Sequence, residues 1–176
     1  DLFNKNKVKK IITLSPHGFN AFKKFYSGLG GNYQVFNYTQ VLAFNMGKLK
    51  FRENPDQVQI TFHDSCYLGR HNMDYYSPRM ILSAVPGLKM AEMDRNKQNA
   101  LCCGGGGGNL FTDVLSSGDV SPARSRVREA KATGATIIAV SCPLCAIMLE
   151  DAVKAEGLDG NLRVMELSEI VNDRIM

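Results

Sequence analysis

TIIAVSCPLCAIMLEDAVKA, residues 136–155, decides how this chain folds. Thr136 to Val140 is a short apolar run rich in β-branched residues and reads as a buried strand. Cys142-Pro-Leu-Cys145 is a turn behind it, and Ala146 to Ala155 reads as a helix. Gly157-Leu-Asp-Gly-Asn161 closes that helix, Leu162 to Met165 reads as the next strand, and a helix runs from Ser168. The same plan stands at the other end. Residues 8–14 read as a strand and Ser15-Pro-His-Gly18 as a turn. Phe19, Phe22, Phe25 and Tyr26 then recur at helical spacing, an aromatic stripe read as core rather than as a cofactor box. Gly28-Leu-Gly-Gly31 ends the helix, Tyr33 to Phe36 is a short strand, and Thr39 to Met46 a second helix.

The two stretches align. Pro16 falls on Pro143, and Gly28-Leu-Gly-Gly-Asn32 falls on Gly157-Leu-Asp-Gly-Asn161 across a short gap. The period is too long for a solenoid, so a duplicated domain is the natural explanation. It implies matching positions for strands 8–14 and 136–140 about a pseudo-twofold axis. It fails if the two segments superpose poorly or lie in different sheets. In this alignment Ser15 and Gly18 stand where Cys142 and Cys145 stand, so residues 1–50 read as the tail of a first repeat without thiols, and residues 51–176 as the cysteine-bearing repeat. His17 remains in the first turn and reads as a metal ligand or, as is commoner for a lone turn histidine, as simply exposed.

Between them, Val58 to Phe62 alternates as a strand and delivers His63-Asp-Ser-Cys66 to a loop. Ser77-Pro78 caps a helix whose buried side is Met80, Ile81, Ala84 and Val85, and Leu88 to Met93 is the following strand. Asn109 to Ser121 reads as polar and irregular. Ser121-Pro122 opens another helix, with Val127 and Ala130 inward and Arg124, Arg126, Arg128 and Lys131 largely outward. Strands alternating with helices argue for an α/β fold, mostly parallel sheets flanked by helices. Every cysteine group then follows a strand, at the sheet edge where open α/β folds bind ligands.

The five cysteines are Cys66, the adjacent pair Cys102 and Cys103, and Cys142 with Cys145, spaced C-x35-CC-x38-C-x2-C. One metal site is the common cause that accounts for all of them. An isolated C-x-x-C would fit a zinc half-site, a redox dithiol or coincidence. The adjacent pair argues further, because a vicinal disulfide is strained, whereas two neighbouring thiolates can reach different irons of one cluster or bridge them. Five thiolates also exceed the four that a tetrahedral zinc or a cubane cluster takes. Gly104-Gly105-Gly106-Gly107-Gly108 follows directly, and its backbone can approach an inorganic core and aim N–H groups at its sulfurs. A phosphate loop would need Gly-Lys-Ser/Thr behind the glycines, and Asn109-Leu110 stands there instead. The Cys142 turn opens a helix, whose positive end favours thiolate.

The 176 residues, 44% hydrophobic, suffice for one substantial core. An odd number of cysteines without a secretory segment argues against a disulfide scaffold and for reduced thiols. No apolar run long enough to span a membrane is present, and the first residues read as the cut end of a longer chain. The net charge of +4 is modest; lysines cluster near the start, read as a solvated face or as a docking patch for an acidic partner. No motif accompanies the charge, so nucleic acid is not an expected partner.

Cys66, Cys102-Cys103-Gly104 and Cys142-Pro-Leu-Cys145, with the flanks TFHDSCYLGRH (61–71), Pro86-Gly-Leu and ALCCGGGGG (100–108), resemble the cysteine-rich CCG domain of heterodisulfide reductase catalytic chains (B and D types) and related iron–sulfur oxidoreductases. The resemblance implies an unusual noncubane [4Fe-4S] cluster bound by Cys66, Cys102, Cys103, Cys142 and Cys145, with Gly104, Gly105 and Gly106 beside it. It implies reduction of a disulfide or thiol-type substrate by successive one-electron transfers. Electrons would come from a ferredoxin-type iron–sulfur domain or subunit, for which no cysteine run exists here. Arg70 and His71, close behind Cys66, read either as catalytic groups that bind an anionic thiol substrate and protonate its leaving thiolate, or as surface contacts at a helix start. His63 and Asp64 read as loop-fixing hydrogen-bonders. A cytoplasmic location is expected, including the cytoplasmic face of a membrane complex. Two alternatives stay open: a zinc site held by four of the five cysteines in an assembly module, and a metal-free docking unit.

Overall fold

The structure is a computed structural model, and it describes residues 2–53, 56–112 and 118–176. A one-turn helix α1 (Leu2–Lys5) precedes β1 (Lys10–Thr13), α2 (Pro16–Lys24), β2 (Gln34–Asn37) and α3 (Tyr38–Asn45). Then come β3 (Val58–Phe62), α4 (Ser77–Ala84), β4 (Leu88–Met90), a one-turn helix α5 (Asn109–Thr112), α6 (Pro122–Ala132), β5 (Ile137–Val140), α7 (Pro143–Ala155), β6 (Arg163–Glu166) and α8 (Leu167–Asn172). All strand pairings named here are parallel. The chain is thus α/β, with parallel sheets flanked by helices.

Among the described residues the strands form two sheets, a two-stranded β1-β2 and a four-stranded β4-β3-β5-β6. β1 and β5 therefore lie in different sheets, and the condition attached to the duplication is not met. What the two ends share is local: a strand, a helix with proline at its start, and a parallel partner strand in a four-residue register.

β5 is central and buried at every position, so its run of Ile137, Ile138, Ala139 and Val140 has no polar face to offer. One layer above it packs α6 and α7 through Val127, Ala130, Leu149 and Ala152. The opposite layer packs α4, α8 and part of α3 on Ile60, Phe62 and Ala139. The α4 helix buries Ile81 and Leu82, and Val85 just beyond its end is buried too, while Met80 and Ala84 face water, contrary to the periodic reading. Its start is fixed by Asp74, whose carboxylate accepts from the Ser77 amide at 3.0 Å and its hydroxyl at 2.9 Å. Phe25 lies beyond the end of α2 and is exposed, so the aromatic stripe buries Phe19 but not its last phenylalanine. Part of the stretch read as irregular, 113–117, lies outside the described residues; Asn109–Thr112 before it forms the helical turn α5.

Candidate metal centre

Three loops bring the cysteines together. β3 leads into His63-Asp-Ser-Cys66. The long segment after β4 carries Cys102 and Cys103. β5 is followed by Ser141, with Cys142 as the N-cap of α7 and Cys145 in its first turn. Crossover connections place all three strand ends on one edge of one sheet, which is why residues far apart in sequence meet here.

Asp64 locks two of the loops. Its carboxylate accepts from Arg79 Nη1 and Nη2 at 2.8 and 2.9 Å, and from the Lys97 amide at 2.7 Å. Arg79 continues to Glu92 at 2.6 Å. The bidentate pair is almost sealed from water, and it ties the Cys66 loop to the segment leading into Cys102.

All five thiols are free of disulfides. The thiols influence one another in series, Cys66 with Cys102, Cys102 with Cys103, Cys103 with Cys145 and Cys145 with Cys142. The Cys103 and Cys145 sulfurs are 3.3 Å apart. Two of the five, Cys102 and Cys142, are pushed toward thiolate, and the other three toward thiol. Cys102 is held well below the usual thiol range by hydrogen bonds from Cys103 and Cys66, helped by the Gly104 amide. Cys142 is lowered to about 6 by the Cys145 thiol and then by the amides of Cys145 and Leu144 at the helix start. Cys103 is pushed up to about 12, chiefly by the Cys102 thiolate beside it. Cys145 rises for the same reason, next to Cys103 and Cys142, as does Cys66 next to Cys102.

Five neighbouring thiols cannot all ionise unless positive charge sits among them. The donor set therefore fits a polynuclear cationic core, and a single tetrahedral ion would leave a sulfur over. The glycines contribute unequally. The Gly104 amide donates to Cys102 Sγ at 3.4 Å, and the Gly105 amide to Cys103. A Cβ on Gly105 would come within 2.8 Å of Met148 Cγ, so α7 also requires that glycine. Gly106 has open space around it.

Arg70 and His71 are exposed on the loop behind Cys66, and the His71 amide closes it on the Cys66 carbonyl at 3.1 Å. The Arg70 charge acts on Cys66. His71 stacks on Tyr67 at 4.4 Å, and His17, from the α2 turn, packs against Tyr67 at 4.1 Å. Lys24 Nζ donates to the His71 carbonyl at 2.6 Å. His17 thus packs beside the Cys66 loop and acts electrostatically in favour of the Cys142 thiolate.

Two further residues depart from the sequence expectation. His63 is 1% exposed, and a ring nitrogen lies within 4.8 Å of the Cys103 and Cys145 sulfurs. Burial, and then the neighbouring guanidinium of Arg126, holds its imidazole down at about 3, hence neutral. Arg126, expected to point outward, is fully buried in α6. It donates from Nε to His63 Nδ1 at 3.2 Å, and from Nη1 to the Arg95 carbonyl at 2.6 Å and Glu129 at 2.7 Å. Helical periodicity places Arg126 next to the inward Val127. A buried arginine with partners from distant loops leaves no other trace in sequence.

A family model described as a cysteine-rich domain matches residues 60–150, the segment that holds every cysteine. The chain belongs to the CCG family. Among its relatives is the probable iron-sulfur-binding oxidoreductase FadF of Bacillus subtilis, 38% identical over 99% of this chain and 24% of that protein. The EtfAB:quinone oxidoreductase of Syntrophomonas wolfei is 38% identical over 96% of this chain and 24% of its own length. A component of the dihydromethanophenazine:CoB--CoM heterodisulfide reductase of Methanosarcina barkeri is 34% identical over 99% of this chain and 43% of that component. The chain spans less than half the length of these CCG relatives. No helix among the described residues is long and apolar enough to cross a membrane.

Proposed function

We propose that this CCG domain is the redox-active part of an iron–sulfur oxidoreductase and holds a noncubane [4Fe-4S] cluster on Cys66, Cys102, Cys103, Cys142 and Cys145. The observation that carries this reading is that three loops bring five free thiols into one neighbourhood, with the Cys103 and Cys145 sulfurs 3.3 Å apart. When bound, such a cluster supplies one-electron transfer. The chain's residues supply the rest. The amides of Gly104 and Gly105 donate to sulfur and offset negative charge at the Cys102 and Cys103 side. Arg70, on the exposed side of Cys66, attracts an anionic disulfide or thiol. Reducing one disulfide to two thiols takes two electrons and two protons; in this reading the exposed His71 gives one proton and solvent water the other. The electrons come from a ferredoxin-type domain or subunit in the remaining length of the protein or in a partner, at the cytoplasmic face of a membrane complex. The names of the relatives, an iron-sulfur-binding oxidoreductase and a heterodisulfide reductase among them, support the reaction class.

The test is metal analysis of the chain prepared anaerobically. The expected content is about four iron and four sulfide per chain, with visible absorption. Cys102→Ser and Cys103→Ser should each change the spectrum or abolish assembly. Stoichiometric zinc without visible absorption would sink the proposal. Full iron with an unchanged spectrum in either variant would refute five-thiolate ligation.

A second reading is a structural zinc, because His63, Cys103 and Cys145 offer three donor atoms within 4.8 Å of one another. Zinc retained in Cys102→Ser and lost in Cys103→Ser would favour it.

A further inference from the structure

His63 sits where a metal ligand would sit, yet its hydrogen bonding is the reverse of a ligand's. The backbone holds it rigidly: its amide donates to the Ala139 carbonyl at 2.9 Å, extending the β3–β5 pairing by one step. Its ring is sealed from water. Arg126 Nε donates to Nδ1. A guanidinium has only donors to offer, so Nδ1 presents a lone pair and the single proton of the neutral ring resides on Nε2. That Nε2 is buried without a partner, on a ring beside Cys103 and Cys145. A histidine that ligates a metal through one nitrogen donates a proton from the other to a carboxylate, carbonyl or water. Here the other nitrogen faces a donor that is itself held in place by Glu129 and the Arg95 carbonyl.

We propose that His63 is a fixed N–H donor to sulfur at the Cys103–Cys145 side of the cluster, and that Arg126 is the positioning residue that sets its tautomer. The inference rests on the iron–sulfur reading for its acceptor, but its tautomer is a property of the protein alone. A donor to cluster sulfur stabilises the more negative, reduced state, so the pair raises the reduction potential without joining the ligand set. The buried guanidinium adds positive charge behind the ring.

Two measurements test this. In the metal-free chain, two-bond ¹H–¹⁵N spectra of the histidine rings, with His63 assigned by its loss in His63→Gln, should show a protonated Nε2 and a bare Nδ1. Arg126→Lys should keep that tautomer, and Arg126→Met should let the ring populate both. The opposite tautomer in the unaltered chain overturns the proposal whatever metal the site takes. In the reconstituted chain, His63→Leu should keep iron and sulfide but move the midpoint potential to more negative values. His63→Gln, which still offers an N–H, should stay closer to the unaltered chain. Iron lost in both variants, with the fold retained by circular dichroism, would make His63 a ligand and overturn the proposal. An unchanged potential in His63→Leu would overturn it too. A chain that takes up no iron refutes the cluster reading instead, and the tautomer measurement still decides the placement of the proton.

Discussion

The turn at Ser15 and the turn at Cys142 are built alike and do different things. Each caps a helix behind a parallel strand, and each has proline at the first helical position. Ser15 Oγ accepts from the Gly18 amide at 3.4 Å, while the Cys142 sulfur makes no capping hydrogen bond, although the amides of Cys145 and Leu144 help to lower its pKa. The partner strands end alike as well: Asn37 and Glu166 each cap the following helix with a capping box. What differs is the surroundings. β5 is buried throughout between two helical layers, whereas β1 leaves Ile12 60% exposed. Two other loops converge on Cys142, and residues 1–50 contain no cysteine to converge on Ser15. A proline-led helix start behind a parallel strand is therefore common to both ends. Burial and convergence turn only one of them into a candidate metal centre.

The sharpest break of this comparison is a matched pair in the strands. Ile138 is fully buried and Ile11 partly so, at positions that align with each other. Ile138→Ala should cost about 4 kcal/mol in urea unfolding and Ile11→Ala about 1 kcal/mol. Equal costs would mean that the two units are packed alike after all.

Next comes the tie between the loops, for which the first turn has no counterpart among the described residues. Asp64→Ala should destabilise the chain by about 3 kcal/mol, because it strips a buried carboxylate from Arg79 while Glu92 remains as a partner. Chemical denaturation reads the effect. A loss below about 1 kcal/mol would show that the Cys66 loop holds without it.

A smaller effect separates the two caps by pH. Glu166 is raised to about 7, first by burial and then by the nearby Cys142 and Glu169, with Tyr38 donating to it and pulling the other way. Between about 4.5 and 7 the folded chain keeps a proton that the unfolded chain has lost. Stability should therefore fall as pH rises through that window. The drop should be about 1–2 kcal/mol once screening of a partly open group is allowed for. Denaturation of the metal-free chain at pH 5 and pH 8 measures it. Glu166→Gln should remove this part of the slope, and the neutral Asn37 cap should contribute nothing to it.

The smallest expected effect is a graft. Gly18 has an ordinary backbone and nothing closer than 3.9 Å to an added Cβ, so Ser15→Cys with Gly18→Cys fits sterically. It should leave iron and zinc content unchanged, because two thiols at an open turn lack the other three. An added metal ion would show that the C-x-x-C turn alone suffices.

Sequence alone settled the class of fold and named the five cysteines as one candidate set. Short β-branched runs, proline-led helices and glycine stops are local signals, so the alternation of strands and helices was legible, with ends shifted by up to three residues, as at β4 (Leu88–Met90) and the start of α7 (Pro143–Ala155). All five cysteines fall behind strands, and the parallel topology then forces them to one edge. The tertiary structure alone decided what surrounds them. Arg126 reads as one charge among several on a helix, and only the arrival of His63 and the Arg95 carbonyl from other elements, beside Glu129 of its own helix, offsets the cost of its burial. His17 reads as a lone turn histidine until α2 packs it on Tyr67. The internal repeat shows the same limit: capping chemistry is written in a few adjacent residues, but which sheet a strand joins is set by long-range pairing, and it put β1 and β5 in different sheets.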